Sequence, residues 1–162
     1  MRFAIACLLI SVGVLGATKP VERADRIVVN KSKRELLLYR NGAVLRTFSI
    51  ALGANPVGPK VRQGDNKTPE GAYTISGRNA ASAFHRSLRI SYPDAEDRAR
   101  ARRNGVNPGG DIMIHGLPNR QHMADSEYVR TDWTAGCIAV TNAEIEEIWR
   151  LVPDGTPIQI YP

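Results

Sequence analysis

Thr134-Ala135-Gly136-Cys137-Ile138-Ala139-Val140-Thr141-Asn142-Ala143-Glu144-Ile145 carries a turn, a strand and a helix start in twelve residues. Thr134 to Gly136 reads as the turn, and Ile138 to Val140 as a short apolar strand. Thr141 and Glu144 have the spacing of a capping box, in which each side chain satisfies the other's backbone N–H. Ile145, Ile148, Trp149 and Val152 then fall at i, i+3, i+4 and i+7, one apolar stripe that predicts an amphipathic helix. Pro153 and Gly155 stop it, and Pro157 to Tyr161 alternates as a closing strand. The stripe needs a sheet to pack against, and Trp149 is expected in that core.

Upstream, short strands alternate with turn signals. Ile27-Val28-Val29 is β-branched. Glu35 to Arg40 and Ala43 to Leu52 flank Asn41-Gly42, a strong two-residue hairpin signal. Gly53 to Pro69 is rich in Gly, Pro, Asn and Lys and reads as a long surface loop, a length often tied to function. Gly71 to Ser76 and Ser87 to Tyr92 are further strand candidates. Ala95 to Asn104 reads as an exposed, arginine-rich helix ended by Gly105, and Pro108-Gly109-Gly110 turns the chain into the short strand Ile112 to Ile114. The expected architecture is one mainly β domain with a short helical insert and one C-terminal amphipathic helix.

The chain has 162 residues, enough for one domain with its own core and no disulfide staple. With 43% hydrophobic and 23% charged residues it is neither a disordered chain nor a membrane bundle. A net charge of +6 points to acidic partners: nucleic acid, anionic lipid or an anionic wall polymer. Met1-Arg2 followed by the apolar run Phe3 to Leu15 and by Gly16-Ala17 reads as an export signal over residues 1–17. The run is short for a bilayer span, and Leu15 leaves the cut site open. Cleavage would remove Cys7 and leave Cys137 alone. A lone thiol in an oxidising compartment is a reactive group, an intermolecular partner or a small buried hydrophobe, and the count does not choose.

His115 ends the strand Ile112 to Ile114 and precedes Gly116, while Cys137 stands just before an apolar strand. Catalytic groups are commonly mounted at such element ends. A thiol with an ordinary pKa of about 8.5 is mostly protonated at neutral pH, and an imidazole beside it can take the proton. Glycine before the nucleophile lets a substrate carbonyl approach backbone N–H groups that hold an oxyanion. From spacing alone the pairing is only suggestive, because an inert histidine and an inert cysteine are each commoner. His122, in the polar run Asn119-Arg120-Gln121, reads as solvated. Zinc would accept His115, His122 and Cys137, but without a close ligand pair no metal site is expected. The run Arg98 to Arg103 reads as a solvated helix face, with no nucleic-acid motif beside it.

The string His115-Gly116 followed by Thr134-Ala135-Gly136-Cys137-Ile138 resembles the signature of the YkuD-like L,D-transpeptidases. Thr68-Pro69-Glu70-Gly71 is similar to that family's Thr-Pro-x-Gly segment. Phe84-His85, Ser87 to Pro93 and Asp132-Trp133-Thr134 resemble its YafK-type branch. The resemblance spans residues 25–161 and implies a β-sandwich or barrel-like YkuD catalytic domain. It implies an exported enzyme of the periplasm or cell wall that acts on peptidoglycan stem peptides without any cofactor. Cys137 would be the nucleophile and His115 the base and then the acid. Gly136 and Cys137 N–H groups would form the oxyanion hole. Gly116, Thr134, His85 and Trp133 would line the substrate site. Membrane contact is expected only through the signal segment. Many relatives have His where this chain has Ala135, and Arg where it has Ala139. The acceptor is therefore left open. An amine would make the enzyme a transpeptidase. Water would make it a hydrolase, for example one releasing a wall-linked lipoprotein. A non-catalytic wall-binding module is the third alternative.

Overall fold

The computed structural model describes residues 22–162. The export signal expected over residues 1–17 lies outside the described residues. The elements run β1 (Arg26–Asn30), β2 (Glu35–Arg40), β3 (Ala43–Ser49), β4 (Gly71–Ser82), β5 (His85–Ile90), α1 (Ala95–Arg103), β6 (Met113–His115), α2 (Asp125–Tyr128), β7 (Ile138–Ala139), α3 (Asn142–Leu151) and β8 (Pro157–Tyr161).

The eight strands form one sheet in the order β3-β2-β1-β8-β4-β5-β6-β7. β4 bends it: Gly71 to Thr74 pair with β8, and Ile75 to Ser82 pair with β5. The segment after β3 then meets the far edge. Ala51 and Ala139 exchange two hydrogen bonds of 2.9 Å, and Ala54 N–H donates to Thr134 O at 2.9 Å. These bonds join the segment after β3 to β7 and the turn before it, at the opposite ends of the strand order, which is the barrel-like closure expected of the fold. Inward-facing Ile27, Leu36, Leu38, Leu88, Ile114, Ile138 and Ile158 fill the core.

α3 closes the core as its sequence predicts. The capping box between Thr141 and Glu144 is complete, and Ile145 and Ile148 are fully buried. Trp149 packs only one side against the core, because the guanidinium groups of Arg78 and Arg86 lie 4.9 and 5.0 Å from its ring centre. At the Asn41-Gly42 turn both residues have positive φ, 52° and 80°, as a type I′ hairpin requires.

Two features were not anticipated. β4 runs six residues beyond its apolar alternation, and β5 has the expected length but starts and ends two residues earlier than predicted; the two meet at a tight turn through Ala83-Phe84. The strip is hidden in the sequence because register shifts break the period of two in β4. α2 is a short helix in a stretch for which the sequence predicts no element. It has no side-chain cap and no apolar period to announce it.

The long segment between β3 and β4 is built rather than loose. Lys60 and Asp65 form a buried ion pair of 2.8 Å. Burial opposes charge on Asp65, but the N–H groups of Arg62, Val61 and Lys67 and the Lys60 ammonium outweigh it and pull the carboxyl down to about 2. The folded segment lies backbone to backbone on the Gly136 turn. A Cβ at Gly53 would stand 2.2 Å from Asn66 O, and one at Gly136, where φ is 130°, would stand 2.6 Å from Lys67 O. Backbone atoms cannot step aside as a side-chain tip can. Gly53→Ala should therefore lower stability by about 1–3 kcal/mol in urea unfolding. Gly77→Ala, whose Cβ meets open space, should change it by less than about 0.5 kcal/mol.

Candidate active site

β6 and β7 run parallel, with Ile114 opposite Ile138 and His115 opposite Ala139. Ile114 and Ile138 both point into the core and are fully buried. Side chains alternate along a strand, so Met113, His115, Cys137 and Ala139 share the other face. Extending the register by one residue puts Cys137 beside Met113. His115 and Cys137 are thus diagonal neighbours on one face, a relation that ring side chains span. Seventeen residues separate Gly116 from the turn at Thr134 in sequence; the parallel pairing removes that separation.

His115 is 3% exposed. Its Nδ1 lies 2.6 Å from Gly116 O. A carbonyl only accepts, so the neutral ring carries its proton on Nδ1 and leaves the Nε2 lone pair free. The ring of Phe84 lies over the imidazole with centres 4.5 Å apart, and Trp133 meets its edge at 5.7 Å. Burial lowers the His115 pKa below its ordinary 6.5, only partly offset by the Gly116 carbonyl. Gly116 itself cannot be larger: a Cβ would lie 2.6 Å from Asn142 Oδ1, the group that accepts from Leu117 N–H. α3 thereby fixes the end of the histidine strand.

Cys137 is half-buried, with Sγ 3.5 Å from the carbonyl of Asp111, to which the thiol donates. Burial is the main influence on it and pushes its pKa above the ordinary thiol range. The Asp111 charge pushes the same way, while the Met113 N–H and the Lys60 ammonium oppose them. Thiol and imidazole are therefore both neutral at pH 7.

Thr134 is buried rather than placed in the cleft. Its hydroxyl donates to Cys137 O at 2.8 Å and accepts from Gly136 N–H at 3.1 Å. Both bonds staple the turn that presents Cys137. The second also occupies the Gly136 N–H, one of the two expected oxyanion donors. Thr134→Val keeps the shape but orphans that buried N–H. It should cost roughly 1–3 kcal/mol in chemical denaturation and slow Cys137 alkylation; Thr134→Ser should restore both.

The other expected lining residues divide. Trp133 stands in the aromatic group around His115, held by a bond from Nε1 to Tyr128 O of 3.0 Å; α2 exists to supply that support. His85 has positive φ (64°), and its Nε2 lies 2.7 Å from Glu146 on α3, so the ring is anchored to α3 rather than left free in the cleft. His122 is exposed, as its polar surroundings indicate. Among the described residues no three metal-ligating side chains cluster. Residues that sequence reasoning did not place in the site are Phe84, Lys60, Asp111 and Asp132. Asp132 accepts from Leu52 N–H at 2.9 Å and from Arg34, tying the Cys137 turn to the closing edge of the sheet. Only the Asp132-Trp133-Thr134 string hinted at it.

The family model for the YkuD L,D-transpeptidase catalytic domain matches residues 24–160. The chain belongs to this family. YafK of Escherichia coli strain K12, whose L,D-transpeptidase designation is provisional, is 32% identical over 149 residues, covering 84% of this chain and 53% of YafK. The chain thus spans about half the length of that relative. YqjB of Bacillus subtilis strain 168, with the same provisional designation, is 25% identical over 165 residues and is covered over 85% of its length. Among solved structures, the helical cell shape determining protein Pgp2 from Campylobacter jejuni superposes with a TM-score of 0.63 at 26% identity, over 86% of this chain and 48% of Pgp2. These matches place a transpeptidase-type catalytic domain on the whole described β unit.

Proposed function

We propose that the protein is an exported cysteine acyltransferase that remodels peptidoglycan through a thioester on Cys137. The observation that carries the proposal is the placement of His115 and Cys137 on one face of adjacent parallel strands, inside a YkuD domain. His115 Nε2 takes the thiol proton as Cys137 Sγ attacks an amide carbonyl of a stem peptide. The carbon–sulfur bond forms and the oxyanion turns toward the Cys137 N–H, since the Gly136 N–H is held by Thr134. The imidazolium then returns its proton to the leaving amine as the carbon–nitrogen bond breaks. An acceptor amine attacks the thioester, His115 takes its proton, and the thiol is restored. Because both groups rest in the neutral state, the proton moves during attack and no preformed thiolate is required.

A second reading has water as the acceptor, releasing a peptide or a wall-linked lipoprotein. Ala139 favours keeping it. It faces His115 in the register and is fully buried, so the position where many relatives carry arginine supplies no charge. Mass spectrometry of muropeptides after incubation with the purified protein separates the two. New links between third-position residues identify transfer, and free tripeptide ends or released lipoprotein identify hydrolysis. Unchanged muropeptides, with Cys137→Ala binding the wall as the native protein does, would leave only a wall-binding module.

A further inference from the structure

Arg89 lies on the same face as Cys137, two strands away. It pairs across β5–β6 with Met113, and Met113 is the residue beside Cys137. A cavity of about 280 Å³ lies over the β5–β6 end of this row and reaches as far as Met113, lined in part by Ser87, Arg89 and Met113. A larger groove of about 610 Å³ continues from it, carrying Arg89, Arg98, Gln63 and Asp111. Arg89 and Ser76 line both, so Arg89 stands where the two meet. Its guanidinium is half exposed and paired with Asp111, whose side chain is 72% exposed. An ion pair so open to water holds its partners weakly, and an incoming carboxylate can replace Asp111 on the guanidinium. Asp111 has φ of 55° and gives its own carbonyl to the Cys137 thiol. The ion pair and the nucleophile are therefore joined through one residue.

We propose that Arg89, with Arg98 behind it, is the carboxylate-recognition site of this protein, and that it binds the free side-chain carboxylate of the stem peptide's third residue. The proposal rests on the reading of Cys137 as the nucleophile for a stem peptide. The carbonyl that Cys137 attacks belongs to the third residue, so that residue's side chain starts one bond from the reacting carbon and can extend along the face that Met113 and Arg89 share. Arginine suits the task because its planar fork pairs with a carboxylate through two parallel bonds. With Ala139 neutral, the cation on this face comes from β5 instead.

Calorimetric titration of Cys137→Ala protein, which binds without turnover, tests the assignment. The probes are three synthetic stem tetrapeptides: one unmodified, one amidated at the third side-chain carboxyl, one amidated at the C-terminus. The unmodified peptide should bind roughly 10–100-fold more tightly than the side-chain amide. Adding Arg89→Gln should erase that ratio, Arg89→Lys should keep part of it, and Asp111→Asn should raise affinity for the unmodified peptide by removing the competitor. Urea unfolding of Arg89→Gln protein should show nearly the native midpoint, because an ion pair this exposed adds little stability, and that result shows an intact fold. Equal binding of the first two peptides, a ratio that survives Arg89→Gln, or no binding of any probe would overturn the proposal. An Arg89-dependent loss confined to the C-terminal amide would assign the site to the other carboxylate and overturn it as stated. Binding with the expected ratio, together with no muropeptide change by the native enzyme, would sink the acyltransferase reading and leave the recognition site standing.

Discussion

Cys137→Ala should reduce product formation from muropeptides to background, a loss of more than about 10³-fold. The thiol is the one free cysteine of the described residues, and it stands on the face opposite the core Ile138. Nothing else in the turn can form a covalent intermediate, because the Thr134 hydroxyl is consumed in holding Gly136 and Cys137. Cys137→Ser should be nearly as inactive, since an alcohol ionises far less readily than a thiol. Intact-protein mass spectrometry should show one carbapenem or iodoacetamide adduct on the folded protein. If Cys137 is labelled only after denaturation, it is a packed hydrophobe and the proposed chemistry fails.

His115→Ala should lower the rate of Cys137 acylation at pH 7 by about 10²–10⁴-fold, the usual contribution of a positioned base. Exposed His122 should be replaceable by Ala with little effect. The pH profile gives a sharper test. Burial holds the His115 pKa below 6.5, so the base stays available at neutral pH and the acid limb of the native profile should lie below 6.5. The Cys137 pKa is pushed above 9.0. In His115→Ala protein the residual rate should therefore climb only with direct thiol ionisation, above pH 9. A native acid limb at or above 6.5, or a His115→Ala profile parallel to the native one, would remove His115 from the base role. The same shift has a stability consequence. An unfolded chain binds a proton at about 6.5 that the buried ring refuses. The contribution of His115 to folding is thus complete above 6.5 and is lost as pH falls through its lower folded value.

How far the site was legible in sequence depends on how local each feature is. The His115-Gly116 and Thr134 to Ile138 strings mark both proposed reacting groups, since each string is a strand end or turn with its own backbone demand. Gly136 needs positive φ and has Lys67 O against it; Gly116 has Asn142 against it. The direction of Thr134 and His85 is not local. An exposed-looking threonine beside the nucleophile reads as a substrate contact until the turn folds and takes both ends of its hydroxyl. His85 reads as a cleft residue until its positive φ and Glu146 turn the ring toward α3.

By itself the sequence determines the elements whose signals lie within a few residues: the type I′ turn at Asn41-Gly42, the capped helix from Thr141, its apolar stripe and its stop at Pro153. It also singles out His115 and Cys137 as the candidate reacting pair, because their neighbours carry the family string. Tertiary structure alone decides what surrounds them. The parallel pairing of β6 with β7 puts His115 and Cys137 on one face, and the pairing of β5 with β6 adds Arg89 to it. The bonds between Ala51 and Ala139 close the sheet, and the packed segment around Lys60 and Asp65 seats against Gly136. Each of these joins residues far apart in the chain, and strand register depends on which faces are buried together. The pKa values follow the same rule: burial moves His115 down and Cys137 up, and burial exists only once the core has closed.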